Sequence, residues 1–86
     1  MKVTVTQEHI DNGKPYEICN CPIALALKDK DFNHVEVSTI GMTASKDDEL
    51  LYYTIPTVAK EFIKAFDDGQ PVKPFTFEAR RYKSEN

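Results

Sequence analysis

Apolar and polar positions along this chain change period several times, and each change predicts an element. Lys2–Thr6 alternates, with Val3 and Val5 on one side and Lys2, Thr4 and Thr6 on the other, the period of a half-buried strand. Thr6 can cap a turn of helix over Gln7–Asp11, closed by Asn12-Gly13; Asn-Gly is also a hairpin signal, so a hairpin there is the alternative. Lys14–Asn20, with Pro15, is a connector. Cys21–Lys28 reads CPIALALK. Pro22 suits a first helical position and Ala and Leu are strong helix formers, so this predicts a short helix, apolar nearly all round and therefore buried. After a polar turn at Asp29–Asn33, His34–Ile40 alternates as a second strand with Val35 and Val37 inward. Gly41–Asp48 reads as a polar loop. Glu49–Ile55 is a third strand, too continuously apolar to say which of Tyr52 and Tyr53 faces solvent.

The stretch that organises this pattern is Ile55–Arg81. Val58, Ala59, Phe62, Ile63 and Phe66 recur at three- and four-residue spacing and share one helical face. Pro56 suits the first turn, Thr57 the N-cap, Gly69 the left-handed residue beyond the end, and Pro71 forbids continuation. Phe75, Phe77 and Ala79 then alternate with Thr76, Glu78 and Arg80 as a fourth strand. Two rings on that strand can pack on two from the helix, where the core should be densest.

The order is β-α-β-β-α-β with an extra early helical turn. It predicts an α+β two-layer sandwich: a four-stranded, mainly antiparallel sheet with two helices on one face, the arrangement of a ferredoxin-like fold. Residues 1–81 form one domain and 82–86 a frayed tail.

Composition narrows the function classes. At 86 residues one modest core is available. A net charge of −3 argues against a general nucleic-acid binder, though a local basic patch remains compatible with it. No apolar run reaches the ~20 residues of a membrane span, and the N-terminal MKVTVTQEH lacks a signal-peptide core, so a cytoplasmic protein with reduced thiols is expected.

Candidate chemistry is sparse. Cys19 and Cys21 form C-x-C beside a helix N-terminus, where the dipole favours thiolate. With His9 and His34 they make a legal zinc set on an unfamiliar spacing, and plain packing or capping is the stronger reading. Asp47, Asp48 and Glu49 read as a solubilising run. Asp67 and Asp68 oppose the dipole at a helix C-terminus, a local conflict of the kind that marks contact surfaces. Whichever of Tyr52 and Tyr53 points outward suits a protein-binding surface. No phosphate loop or nucleophile elbow occurs, and no nucleophile, base and orienting group can be assembled, so the chain reads as non-enzymatic, without cofactor.

Three stretches carry a resemblance: TQEHIDNG at 6–13, CNCPIALA at 19–26, and FIKAFDDG at 62–69 followed by Pro71 and Pro74-Phe75. They resemble a group of small bacteriophage and prophage proteins with the pattern T-Q-E-H-I-x-N-G, then C-x-x-C-P-x-A-L-A-I, then F-I-x-x-F-D-x-G-x-x-V-x-P-F. The match spans most of the chain outside 28–54. The cysteines here are one residue closer than in that group, which counts against a shared metal site. The resemblance implies a phage setting and no activity.

The expectation is therefore a phage-type accessory protein that binds a host or phage protein. A specific version inhibits a host defence enzyme by presenting Asp47, Asp48, Glu49, Asp67 and Asp68 to a basic surface. The alternatives are a nucleic-acid module on the sheet face, using Lys2, Tyr52 or Tyr53, Arg80 and Arg81, or a zinc or thiol site at Cys19 and Cys21.

Overall fold

Hydrogen bonding in a computed structural model, which describes residues 1–82, resolves nine elements. They are β1 (Lys2–Val5), α1 (Gln7–Asn12), α2 (Pro22–Lys28), β2 (Asn33–Val37), β3 (Met42–Lys46), β4 (Glu49–Thr54), α3 (Thr57–Asp67), β5 (Phe75–Glu78) and β6 (Arg80–Arg81). The α+β class holds. The single sheet divides in two: β1 pairs with β5, and β2-β3-β4-β6 form the other. Every pairing is antiparallel, but β1 lies with β5 apart from β2-β3-β4-β6 rather than between strands of one sheet, so among the described residues the ferredoxin-like strand order is not adopted.

The division has a local cause. Residues 75–81 run as one strand that bends at the fully buried Ala79. Before the bend they pair with β1; after it Arg80 and Arg81 pair with Thr54 and Tyr53. Ala79 N–H still donates to Met1 O (2.8 Å), and Tyr82 N–H donates to Tyr52 O (2.7 Å). Tyr82, expected in the tail, is thus hydrogen-bonded to β4, and residues 83–86 lie outside the described residues.

The loop expected at 41–48 is mostly β3, joined to β4 by a two-residue turn. Asp47 (φ 54°) and Asp48 (φ 63°) are both left-handed, as a type I′ turn between strands requires. Asp tolerates this conformation less well than Asn or Gly. Replacing Asp47-Asp48 with Asn-Gly is expected to stabilise the fold by about 1 kcal/mol, read as a higher urea midpoint at unchanged slope. A lower midpoint would show that the two carboxylates hold something in place. In β2 the register slips between Asn33 and Glu36, and His34 (φ 50°) is the left-handed residue of that bulge.

The core centres on α2 rather than on Ile55–Arg81. Pro22, Ile23 and Leu27 of α2 are among the most completely buried large side chains, with Val3 and Val5 of β1 and Val35 of β2. The helix packs against β1, β2 and α1 and so joins the two sheets. Its all-round apolarity is what that position demands. Cys21 caps it, its Sγ accepting from Ala24 N–H. α3 attaches through rings: Phe66, Phe62, Phe75 and Phe77 stack in series, with Phe62 and Phe75 centroids 4.6 Å apart. Ala59, Phe62 and Ile63 are buried, whereas Val58, at the margin of the stripe, is half exposed. The N-cap roles reverse: Pro56 is the cap residue, with no side-chain bond, and Thr57 is the first helical residue. At the other end Gly69 (φ 75°) completes a Schellman motif, Gln70 N–H donating to Ala65 O and Gly69 N–H to Phe66 O.

Candidate functional site

The pleat sorts the strands of the larger sheet into two faces. Val35, Val37, Met42, Ala44 and Leu51 are buried against the core. The other face aligns Glu36, Thr43 and Tyr52 in one row across β2, β3 and β4, and Tyr82 extends the row beyond β4. Over this row lies a groove of about 450 Å³. Ile18 and Ile40 line it from flanking loops, and both are exposed, Ile40 at 88%. Tyr52 and Tyr82 are exposed as well, at 47% and 57%. Four large apolar or aromatic side chains thus sit in solvent around one hollow, the pattern of an interaction surface rather than scattered surface hydrophobes.

Local structure holds both isoleucines. Ile40 rides a tight loop in which Ser38 N–H donates to Gly41 O (2.9 Å) and Ile40 N–H to Ser38 Oγ (3.2 Å). Gly41 lets that loop approach β4: a Cβ there would sit 2.6 Å from Tyr53 O, so no other residue fits without displacing backbone. Ile18 belongs to the connector, and its carbonyl accepts from Val37 N–H (2.9 Å) at the edge of β2.

Asp67 and Asp68 secure the same connector. Tyr16, left-handed at φ 60°, donates its N–H to Asp67 Oδ1 (2.8 Å) and its hydroxyl to Asp68 Oδ1 (3.2 Å). The bond to Asp68 and that carboxylate's charge push the Tyr16 hydroxyl pKa up. The carboxylates that defied the helix dipole are therefore occupied within the chain. A second hollow of about 240 Å³, bordered by Tyr16, Glu17, Ile63 and Asp67, adjoins the groove across Ile18, Val37 and Ser38.

The remaining candidates scatter. Tyr52 is the outward tyrosine; Tyr53 turns inward and meets Phe32 edge-on at 6.3 Å. Asp47 and Asp48 form the hairpin tip, roughly 15 Å along β4 from the groove's end of the sheet at ~3.3 Å per residue. Glu49 pairs with Arg81 at 3.5 Å. The two acidic runs thus do not make the single anionic surface expected of them.

No three His, Cys, Asp or Glu side chains converge on a metal geometry among the described residues. His9 is occupied: its Nδ1 accepts from Thr6 N–H (3.0 Å), completing a capping box, and its Nε2 lies 2.6 Å from Asp29 Oδ2. His34 sits exposed on the bulge. Cys19 is exposed and Cys21 buried, both as free thiols. Burial pushes the Cys21 thiol pKa up despite its place at a helix N-terminus, because desolvating a thiolate outweighs the N–H groups around it. In native protein, 5,5′-dithiobis(2-nitrobenzoate) is expected to titrate one thiol promptly, and two once guanidinium unfolds the chain. Two prompt equivalents would show that the α2 cap opens.

No family model, curated protein or solved structure matches the chain. No helix among the described residues is long and apolar enough to cross a membrane.

Ile18, Ile40 and Tyr82 were not singled out by sequence. Ile18 lies in the connector, Ile40 at the end of the strand expected over His34–Ile40 and Tyr82 in the expected tail, and no period links the three to one surface.

Proposed function

We propose that this chain is a small accessory protein, of the phage type its sequence resembles, that acts in the cytoplasm by binding another protein through the open face of β2-β3-β4-β6. One observation carries this reading: Ile18, Ile40, Tyr52 and Tyr82 stand exposed around a single groove that no helix of the described residues covers. A solvent-exposed aliphatic side chain such as Ile40 adds nothing to a monomer's core, whereas aromatic and aliphatic anchors in a pocket dominate binding energy at interfaces. A host enzyme, a defence nuclease among the candidates, is the class of target the phage setting suggests.

The test is affinity capture from lysate of the expressing cell, after nuclease treatment, with wild type and Ile40→Glu as paired baits. A discrete protein is expected on the wild-type bait alone, and its complex should re-form from purified components. Equal retention by both baits, or loss of all retained material after nuclease, would overturn the reading.

A second reading has its own support. Arg80 pairs with Thr54 and so shares the outward face with Tyr52, and two tyrosines beside an arginine are the elements of a single-strand stacking platform. It requires binding to an oligonucleotide that weakens steeply with salt.

A further inference from the structure

The charge around the groove narrows what it can hold. Of the residues lining the groove and its adjoining hollow, those charged at neutral pH are Glu36, Glu17 and Asp67, all acidic, with no Lys, Arg or His among them. Asp67 is engaged by Tyr16 N–H, and Glu17 accepts from the Asn20 side chain (3.0 Å). Glu36 is different. It stands exposed at the β2 end of the row it forms with Thr43 and Tyr52, with no hydrogen-bond or ion-pair partner among the described residues. Arg80, further along β6, does not line the hollow.

Glu36 and Tyr52 flank Thr43, one strand away on either side, so a cation seated over Thr43 is favoured twice, by the carboxylate's charge and by the negative face of the ring. The surrounding Ile18 and Ile40 favour bulky apolar side chains. Phosphate-bearing partners meet carboxylates of their own sign, which sets this surface against a nucleic-acid backbone or an anionic lipid headgroup.

We infer that the occupant is a partner polypeptide segment in which a Lys or Arg, set against Glu36 and Tyr52, lies next to bulky apolar residues that fill the groove beside Ile18 and Ile40. This inference rests on the protein-binding reading and adds the chemistry of the partner.

The probe is a displayed library of random dodecapeptides, selected on the full chain and deselected on Ile40→Glu. Ile40 and Glu36 are both exposed, so their variants should keep the wild-type unfolding midpoint. The expected consensus pairs Lys or Arg with Leu, Ile, Phe or Trp. Glu36→Lys should weaken the selected peptides about tenfold, while Asp48→Asn at the hairpin tip leaves them unchanged. An uncharged or acid-rich consensus that still requires Ile40 would overturn the cationic partner and leave protein binding standing. Peptides that ignore Ile40→Glu would sink both. A dimer by sedimentation that Ile40→Glu dissolves, or tight binding of oligo-dT that Glu36→Lys strengthens, would assign the groove to a second copy or to nucleic acid and overturn the inference.

Discussion

Leu27→Ala is expected to cost about 3–4 kcal/mol, the range for removing a fully buried leucine where little can collapse into the space. Leu27 has no exposed surface and lies on the helix that touches β1 and β2 together, so its loss opens a cavity between the sheets. For a chain of this size the melting midpoint should fall by roughly 15–25 °C. Total stability for such a domain is on the order of 4–13 kcal/mol, so the variant should sit near the edge of folding. Val58→Ala on α3 is the control. Val58 is half exposed and alanine is the better helix former, so that change should be neutral or slightly stabilising. Calorimetry on the two variants checks the contrast between a buried position of α2 and a marginal one of α3. Equal losses would return α3 to the central place its amphipathic pattern suggested.

The second large effect is expected at His9. Its side chain is nearly buried, accepts the Thr6 backbone N–H and reaches Asp29 at the end of α2. His9→Ala removes a cap worth about 1 kcal/mol. It also removes the bond to Asp29, discounted to about 1 kcal/mol because that carboxylate is largely exposed. Some packing goes with them, for a total near 3 kcal/mol. His9→Gln separates the contributions. Glutamine at this position can return to the cap N–H as in an ordinary capping box, but is not placed to reach Asp29. Urea denaturation should rank wild type above His9→Gln above His9→Ala. A glutamine variant no better than alanine would show that the link to α2 is what matters.

These two sites also show what was legible in advance. Local signals were read well. Thr6 and Cys21 are the caps of α1 and α2, Gly69 ends α3, and the four phenylalanines of α3 and β5 do meet. Each depends on neighbours a few residues apart. β3 was missed because Met-Thr-Ala-Ser-Lys holds one large apolar residue, and its turn lacks the glycine that usually announces a tight hairpin. The bend at Ala79 was missed because alternation continues through it; the partners change there and the pattern does not. His9 looked like a residue in a polar turn because Asp29 is twenty positions away. The outward tyrosine could not be chosen from LLYYT, because the face follows from pairing with a strand that was not recognised. At the groove, sequence supplied Tyr52 and Tyr53, without the face each takes. Its isoleucines come from segments whose positions depend on Tyr16, Asp67 and Gly41, contacts fixed by tertiary structure.

The pairing of β1 with β5 brings Val3 opposite Phe77. Nearly the whole intervening chain must be gathered before that ladder can close, an entropic cost met early in folding and recovered late. Residues 75–81 supply β5 to the smaller sheet and β6 to the larger, so neither sheet finishes without this segment. During synthesis, therefore, the hairpin of β3 and β4 can form as it emerges, but β1 waits for its strand partner until Phe75–Glu78 is free. Until then the hydrogen-bonding edge of β1 stands open to other strands in the cell, even with α2 packed against it.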